Sequence, residues 1–156
     1  MNITPHILAQ RFKGLAEVAG PEDNPQIMAM LRLNGDESTF TGWPESDEVP
    51  WCGAFVRYCY WLLGFHLKDL GDLRARSWLR AGCRVEFDGL YPGWDIVVLS
   101  RGDNAPGPSV INAPGHVGLY DYHDKDYTWI LAGNQGNTVS VQKFPRGRVL
   151  GTRRIA

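Results

Sequence analysis

Between Asp47 and Gly64 the chain reads DEVPWCGAFVRYCYWLLG, and few folds accommodate that stretch. From Cys52 onward the apolar residues fall at Phe55, Val56, Cys59, Tyr60 and Leu63, the spacing of a helix with one buried face. Pro50 suits the first turn, where its missing N–H costs nothing, and Asp47 or Glu48 would lie around the cap. Cys52 then occupies the first turn on the buried side, where free N–H groups and the positive end of the helix dipole converge. That setting favours a thiolate, and the same N–H groups suit the oxyanion of a tetrahedral intermediate. The carboxylates just upstream oppose the thiolate unless they point away.

The flanking sequence predicts α+β. Thr4, Pro5 and the apolar series Ile7, Leu8, Phe12, Leu15 and Ala16 predict a first helix, and Ile27 to Leu33 a second, closed by Gly35. Residues 36–50 read as a polar loop, and LRARSWLRAG as a short helix ended by Gly82. Beyond Cys83 the period changes: WDIVVLS, HVGLYDY, YTWILAGN and TVSVQKF read as strands of an antiparallel sheet. The loop from Arg101 to Gly115 is unusually long, a length associated with function, and it ends against His116. With 156 residues the chain fits one domain, a helical pair at 1–35 followed by a core at 50–156.

A formal net charge of −1 gives no ground for a nucleic-acid partner, and the late basic run KFPRGRVLGTRR has the charge to touch an anionic polymer but reads first as a solvated C-terminal strand. No apolar run approaches a membrane span, and the N-terminus lacks the pattern of a secretory signal. Cys52 and Cys59, seven residues apart on one helix, lie about 10 Å apart, beyond disulfide reach. Free thiols fit synthesis in a reducing cytoplasm.

Cysteine is among the most buried residue types, so Cys52 becomes a candidate nucleophile only if a base can reach it. His6 and His66 lie in or beside helices, and His123 falls in a hairpin turn. His116 begins a strand at the end of the long loop. A hairpin loop of Asp124 to Asp126, closed by His123 and Tyr127, counts back to place Asn134 opposite His116 on the same face, its oxygen able to hold the imidazole. A slip of one residue would bring Gln135 or Gly133 there instead. Cys59 and Cys83 lack comparable settings. A zinc site lacks its ligand spacing, and DYHDKD lacks the glycine and terminal glutamate of an EF-hand. A muramidase would need a carboxylate pair, and Glu17, Glu45 and Glu48 show no spacing that singles one out. A non-catalytic binding module would use the Trp and Tyr residues as a sugar-stacking surface.

Taken together, PWCGAFVRYCYWLLG, ARSWL, GHVGLY and GNQGNTVSV resemble a phage-associated family of cell-wall cysteine peptidases and amidases. That family is related to the CHAP amidohydrolase/peptidases and, more distantly, to NlpC-type peptidases. The resemblance spans nearly the whole chain, GPEDNPQI included. It implies a papain-like α+β fold with Cys52 as nucleophile, His116 as general base and Asn134 orienting the histidine. Trp51 and Gln135 are expected to touch substrate. The implied enzyme is endolysin-like, or a secreted antibacterial effector of the same chemistry. It would need no cofactor, act as a monomer on bacterial peptidoglycan and reach the wall from the cytoplasm through another factor. One departure stands out: relatives often read Pro-Gly-Asp before the first core strand, where this chain has PGWD.

Overall fold

A computed structural model describes residues 2–33 and 44–155. The expected Gly35 stop and most of the expected polar loop lie outside the described residues. Helix α1 (Pro5–Gln10) starts as expected, with the Thr4 hydroxyl accepting from the Ile7 N–H. It ends sooner. Gly14 turns the chain at φ +87°, and residues 14–17 run extended beside 137–139, with Gly14 N–H on the Val139 carbonyl and Val139 N–H on that of Leu15. The apolar spacing through Ala16 is genuine, but the backbone bonds offered by the distant turn outweigh one more helical turn. Helix α2 (Pro25–Arg32) is capped by Asn24, whose side chain accepts from the Gln26 N–H.

Helix α3 (Cys52–Trp61) carries the expected buried face and packs against α1, α2 and the sheet. Its cap is Trp51 without a side-chain bond, so Pro50 precedes the helix and neither Asp47 nor Glu48 caps it. Asp47 is buried but turned away, accepting from the N–H groups of Asn24 at 2.8 Å and Val18 at 3.4 Å. Glu48 is exposed.

Six strands form one antiparallel sheet among the described residues: β1 (Cys83–Arg84), β2 (Asp95–Ser100), β3 (Gly115–His123), β4 (Tyr127–Ala132), β5 (Ser140–Pro145) and β6 (Val149–Arg154), in the order β1-β6-β2-β3-β4-β5. The basic C-terminal run is thus only partly solvated strand: residues 143–145 end the edge strand β5, whereas β6 lies beside β2 and is covered by β1 at Arg153 and Arg154. What draws it in is Asp95, fully buried, whose carboxylate receives the Arg154 guanidinium at 2.6 Å and the Tyr91 N–H at 2.7 Å. The PGWD departure thus leaves an aspartate at the start of β2, with a partner waiting on β6.

A 3₁₀ segment (Ala75–Arg80) replaces the expected short helix and lays Trp78 and Arg76, both fully buried, between sheet and loop. Arg76 donates from Nη1 to the carbonyls of Pro106, Gly107 and Val110, and from Nε to that of Pro114. A buried guanidinium thus shapes the long loop from inside, tying four of its carbonyls to one side chain.

Candidate active site

Cys52 opens α3, and its side chain is all but closed to solvent at 2% exposure. The sulfur sits against the N–H of Val117 on β3, and the N–H groups of Gly53 and of Cys52 itself also face it. Gly53 is required by close approach: a Cβ there would lie 2.6 Å from the Leu73 carbonyl oxygen. His116 precedes Val117 and is 3% exposed, packed on the Phe144 ring with centroids 5.5 Å apart. The fold therefore brings Cys52 and the His116 segment together. The other histidines are engaged or remote: His6 pairs with Asp121 at 2.8 Å, His123 with the Tyr120 hydroxyl at 2.8 Å, and His66 is exposed.

The partner of the imidazole is Gln135, not Asn134. Oε1 of Gln135 lies 3.0 Å from Nε2 of His116, while its Nε2 donates to the Ser140 carbonyl at 2.6 Å. The anticipated register does hold near the site, with Leu119 facing Leu131, restored by a bulge between Tyr120 and Tyr122. But β4 stops at Ala132 before it can deliver Asn134 opposite His116. Gly133 packs under Trp51, where a Cβ would lie 2.4 Å from the ring, and Asn134 turns at φ +58°. Gln135 then points inward, 3% exposed. The sequence did carry a signal for this turn: Gly-Asn-Gln-Gly-Asn is rich in residues that tolerate positive φ.

Because the Gln135 amide spends its N–H on Ser140, its oxygen is what faces His116. The ring must therefore donate from Nε2 and keep its lone pair on Nδ1. That Nδ1 is buried without a partner among the described residues. Burial holds the His116 imidazolium down to about 4; the Gln135 bond opposes this, and the charges of Arg101 and Arg148 reinforce it. Burial likewise pushes the Cys52 thiol up, against the Val117 N–H, the Arg101 charge and the N–H groups of the helix start. Burial thus works against the expected thiolate, outweighing the N–H groups of the helix terminus.

A cleft of about 530 Å³ opens over Cys52, walled by Val49, Pro50, Leu73, Arg101, Asn112 and Pro114 among others, with no carboxylate among the described residues of its lining. Arg101, not anticipated from sequence, is its cation without an ion pair among the described residues; Arg74, across the cleft, is tied to Asp72 at 2.5 Å and to Asn112 at 2.8 Å. Trp51 does not line the cleft. It is fully buried and donates to Glu17 at 2.7 Å, so it supports the site rather than touching substrate, and Glu17 is likewise taken up. Glu45 and Glu48 are exposed, outside the cleft lining. Among the described residues no cluster of His, Cys, Asp or Glu is placed to hold a metal ion, and no helix is long and apolar enough to cross a membrane.

Neither a family model nor a curated protein matches the chain. Among solved structures, NlpC1 from Trichomonas vaginalis aligns with a TM-score of 0.54 at 17% identity, over 97% of this chain and 42% of that one. The fold is like that of NlpC1. It is α+β and papain-like, as expected, with helices packed on an antiparallel sheet. The chain spans less than half of that structure's length. The P60 domain of an antigen from M. avium subspecies paratuberculosis aligns over 78% of this chain and 71% of its own, at 19% identity and a TM-score of 0.44.

Proposed function

We propose that this chain is a cysteine peptidase or amidase that cleaves an amide bond of bacterial peptidoglycan. The observation that carries the reading is the His116 ring, clamped by Gln135 at Nε2, its buried Nδ1 without a partner among the described residues, on the residue just before Val117, whose N–H faces the helix-start thiol of Cys52. A base with one nitrogen held and the other free is set up to take a proton and return it. In the proposed reaction the Cys52 sulfur attacks the amide carbonyl while its proton passes to Nδ1 of His116. The oxyanion is held by N–H groups at the start of α3. The imidazolium then protonates the leaving amine, a thioester remains, and water activated by His116 releases the acid and frees the thiol. Gln135 takes the orienting role expected of Asn134.

The substrate class rests on the NlpC/P60 fold and on the sequence resemblance, which also support an endolysin-like role at the cell wall after release by another factor. The test is digestion of purified peptidoglycan followed by mass spectrometry. Wild type should generate new amino and carboxyl ends, and Cys52→Ala should generate none while keeping its far-UV circular dichroism. New reducing ends, or an alanine variant as active as wild type, would remove the cysteine mechanism.

A further inference from the structure

A second concavity, about 670 Å³, lies on the other side of the long loop. Pro108, Ser109 and Ile111 form its wall, while Asn112, Ala113 and Pro114 of the same loop wall the catalytic cleft. Its floor is β6. Strand β1 pairs only with Arg153 and Arg154, and the Val85 N–H adds one bond to the Thr152 carbonyl. Upstream of these, Val149, Leu150 and Gly151 face the groove along an outer edge that no strand covers among the described residues. An uncovered edge offers N–H and C=O groups to an extended chain.

The groove is also cationic. Arg80, Arg84 and Arg153 line it against one carboxylate among the described residues, Glu86, which is bound to Arg84 at 3.1 Å. Arg80 and Arg153 have no ion pair among the described residues, and Arg146, stacked 4.1 Å over Phe87, adds positive charge at the rim. For a chain of net charge −1 this is a local concentration of the opposite sign. Its ligand must therefore be extended, amide-bearing and anionic.

We infer that this groove binds a second, carboxylate-bearing peptide stem of the same polymer that the catalytic cleft cleaves. The inference rests on the peptidoglycan reading and adds to it a separate holding site. A polymer with repeated anionic stems would engage both sites, and the second contact becomes effectively intramolecular once the first is made. Arg76 keeps the wall between the two sites in place.

The test is an amide-resolved NMR titration of the full chain bearing Cys52→Ala with a soluble muropeptide that retains its free carboxylates. Shifts at Leu150, Gly151 and Thr152 should follow a binding curve distinct from that at Gly53 and Ala113. The double variant Arg80→Gln, Arg153→Gln should weaken the first curve roughly tenfold and leave the second alone. In an otherwise wild-type chain, the same double variant should cleave the small muropeptide at the normal rate but digest intact sacculi more slowly, most visibly at low salt. The inference is overturned if groove amides stay still while wild type cleaves the muropeptide. Equal shifts with a carboxyl-amidated stem, or shifts only with an acidic polypeptide such as polyglutamate, would overturn it too. Failure of wild type to cleave peptidoglycan at all would instead strike the functional reading beneath it.

Discussion

At His116 the consequences of burial can be read in two directions. The ring's proton affinity is lowered from 6.5 to about 4. The base is therefore already neutral above that range, and the acid limb of kcat/KM should fall near pH 4–5 instead of near 6.5. Stability should behave oppositely to that of a cationic histidine. Between 6.5 and about 4 the unfolded chain binds a proton the folded chain refuses, so stability is intact above the upper value and lost as pH falls. A pH–rate profile together with thermal melts across that window checks both. Gln135 favours the charged ring, so Gln135→Leu should move the acid limb further down as well as slow turnover. His116→Ala should lower turnover by about 10²–10⁴-fold. Gln135→Ala should lose about 10–100-fold by analogy with orienting partners of metal-bound histidines. Asn134→Gly, which relieves a positive φ, should leave turnover within about twofold. Single-turnover rates on one defined muropeptide separate the three, and an Asn134 variant more damaging than Gln135→Ala would discredit the assigned clamp.

At the scale of elements, the long loop depends on one residue. Arg76 supplies donors to four loop carbonyls from a fully buried position. Charge-assisted bonds of this kind contribute about 1.5–3 kcal/mol each, but the freed carbonyls can be rehydrated at the surface. Arg76→Met is therefore expected to destabilise the fold by roughly 2–4 kcal/mol, in the range for breaking a buried polar network. Limited proteolysis should show new cuts within 101–115, and KM should rise more than kcat falls, because the loop walls the cleft without touching the reacting atoms. Unchanged proteolysis would mean the loop holds its own shape. Helix α3 teaches the complementary lesson. Its buried face was visible in the apolar spacing, whereas the upward push of burial on the Cys52 thiol was not, since a helix terminus is a local feature and desolvation is imposed by the sheet that covers it.

For the whole molecule, the Asp95–Arg154 pair links the first core strand to the last strand across 59 residues of chain. Asp95→Ala would leave Arg154 without its partner and the Tyr91 N–H without its acceptor. Breaking a buried pair from one side costs about 3–5 kcal/mol, and less is expected here because Arg154 remains one-third exposed. Chemical denaturation should show a loss of roughly 2–3 kcal/mol with an unchanged m-value, and hydrogen exchange should quicken first in β6. The same pair marks where sequence reading ends. Alternating or helical spacing of apolar residues is a local property, so the α+β class, α3, four of the strands and the candidacy of Cys52 and His116 were all legible in order along the chain. Strand order is not local: nothing in VLGTRR says that it lies between β1 and β2 until Asp95 is seen to be buried opposite it. Nor could pairing arithmetic reveal that β4 stops at Ala132, because that depends on Trp51 filling the space above Gly133. The sequence alone determined which side chains could do chemistry and which faces had to be buried. Only the tertiary structure decided that Gln135 holds His116, that Trp51 is a support and that Arg76 builds the cleft wall, because each follows from contacts between segments far apart in the chain.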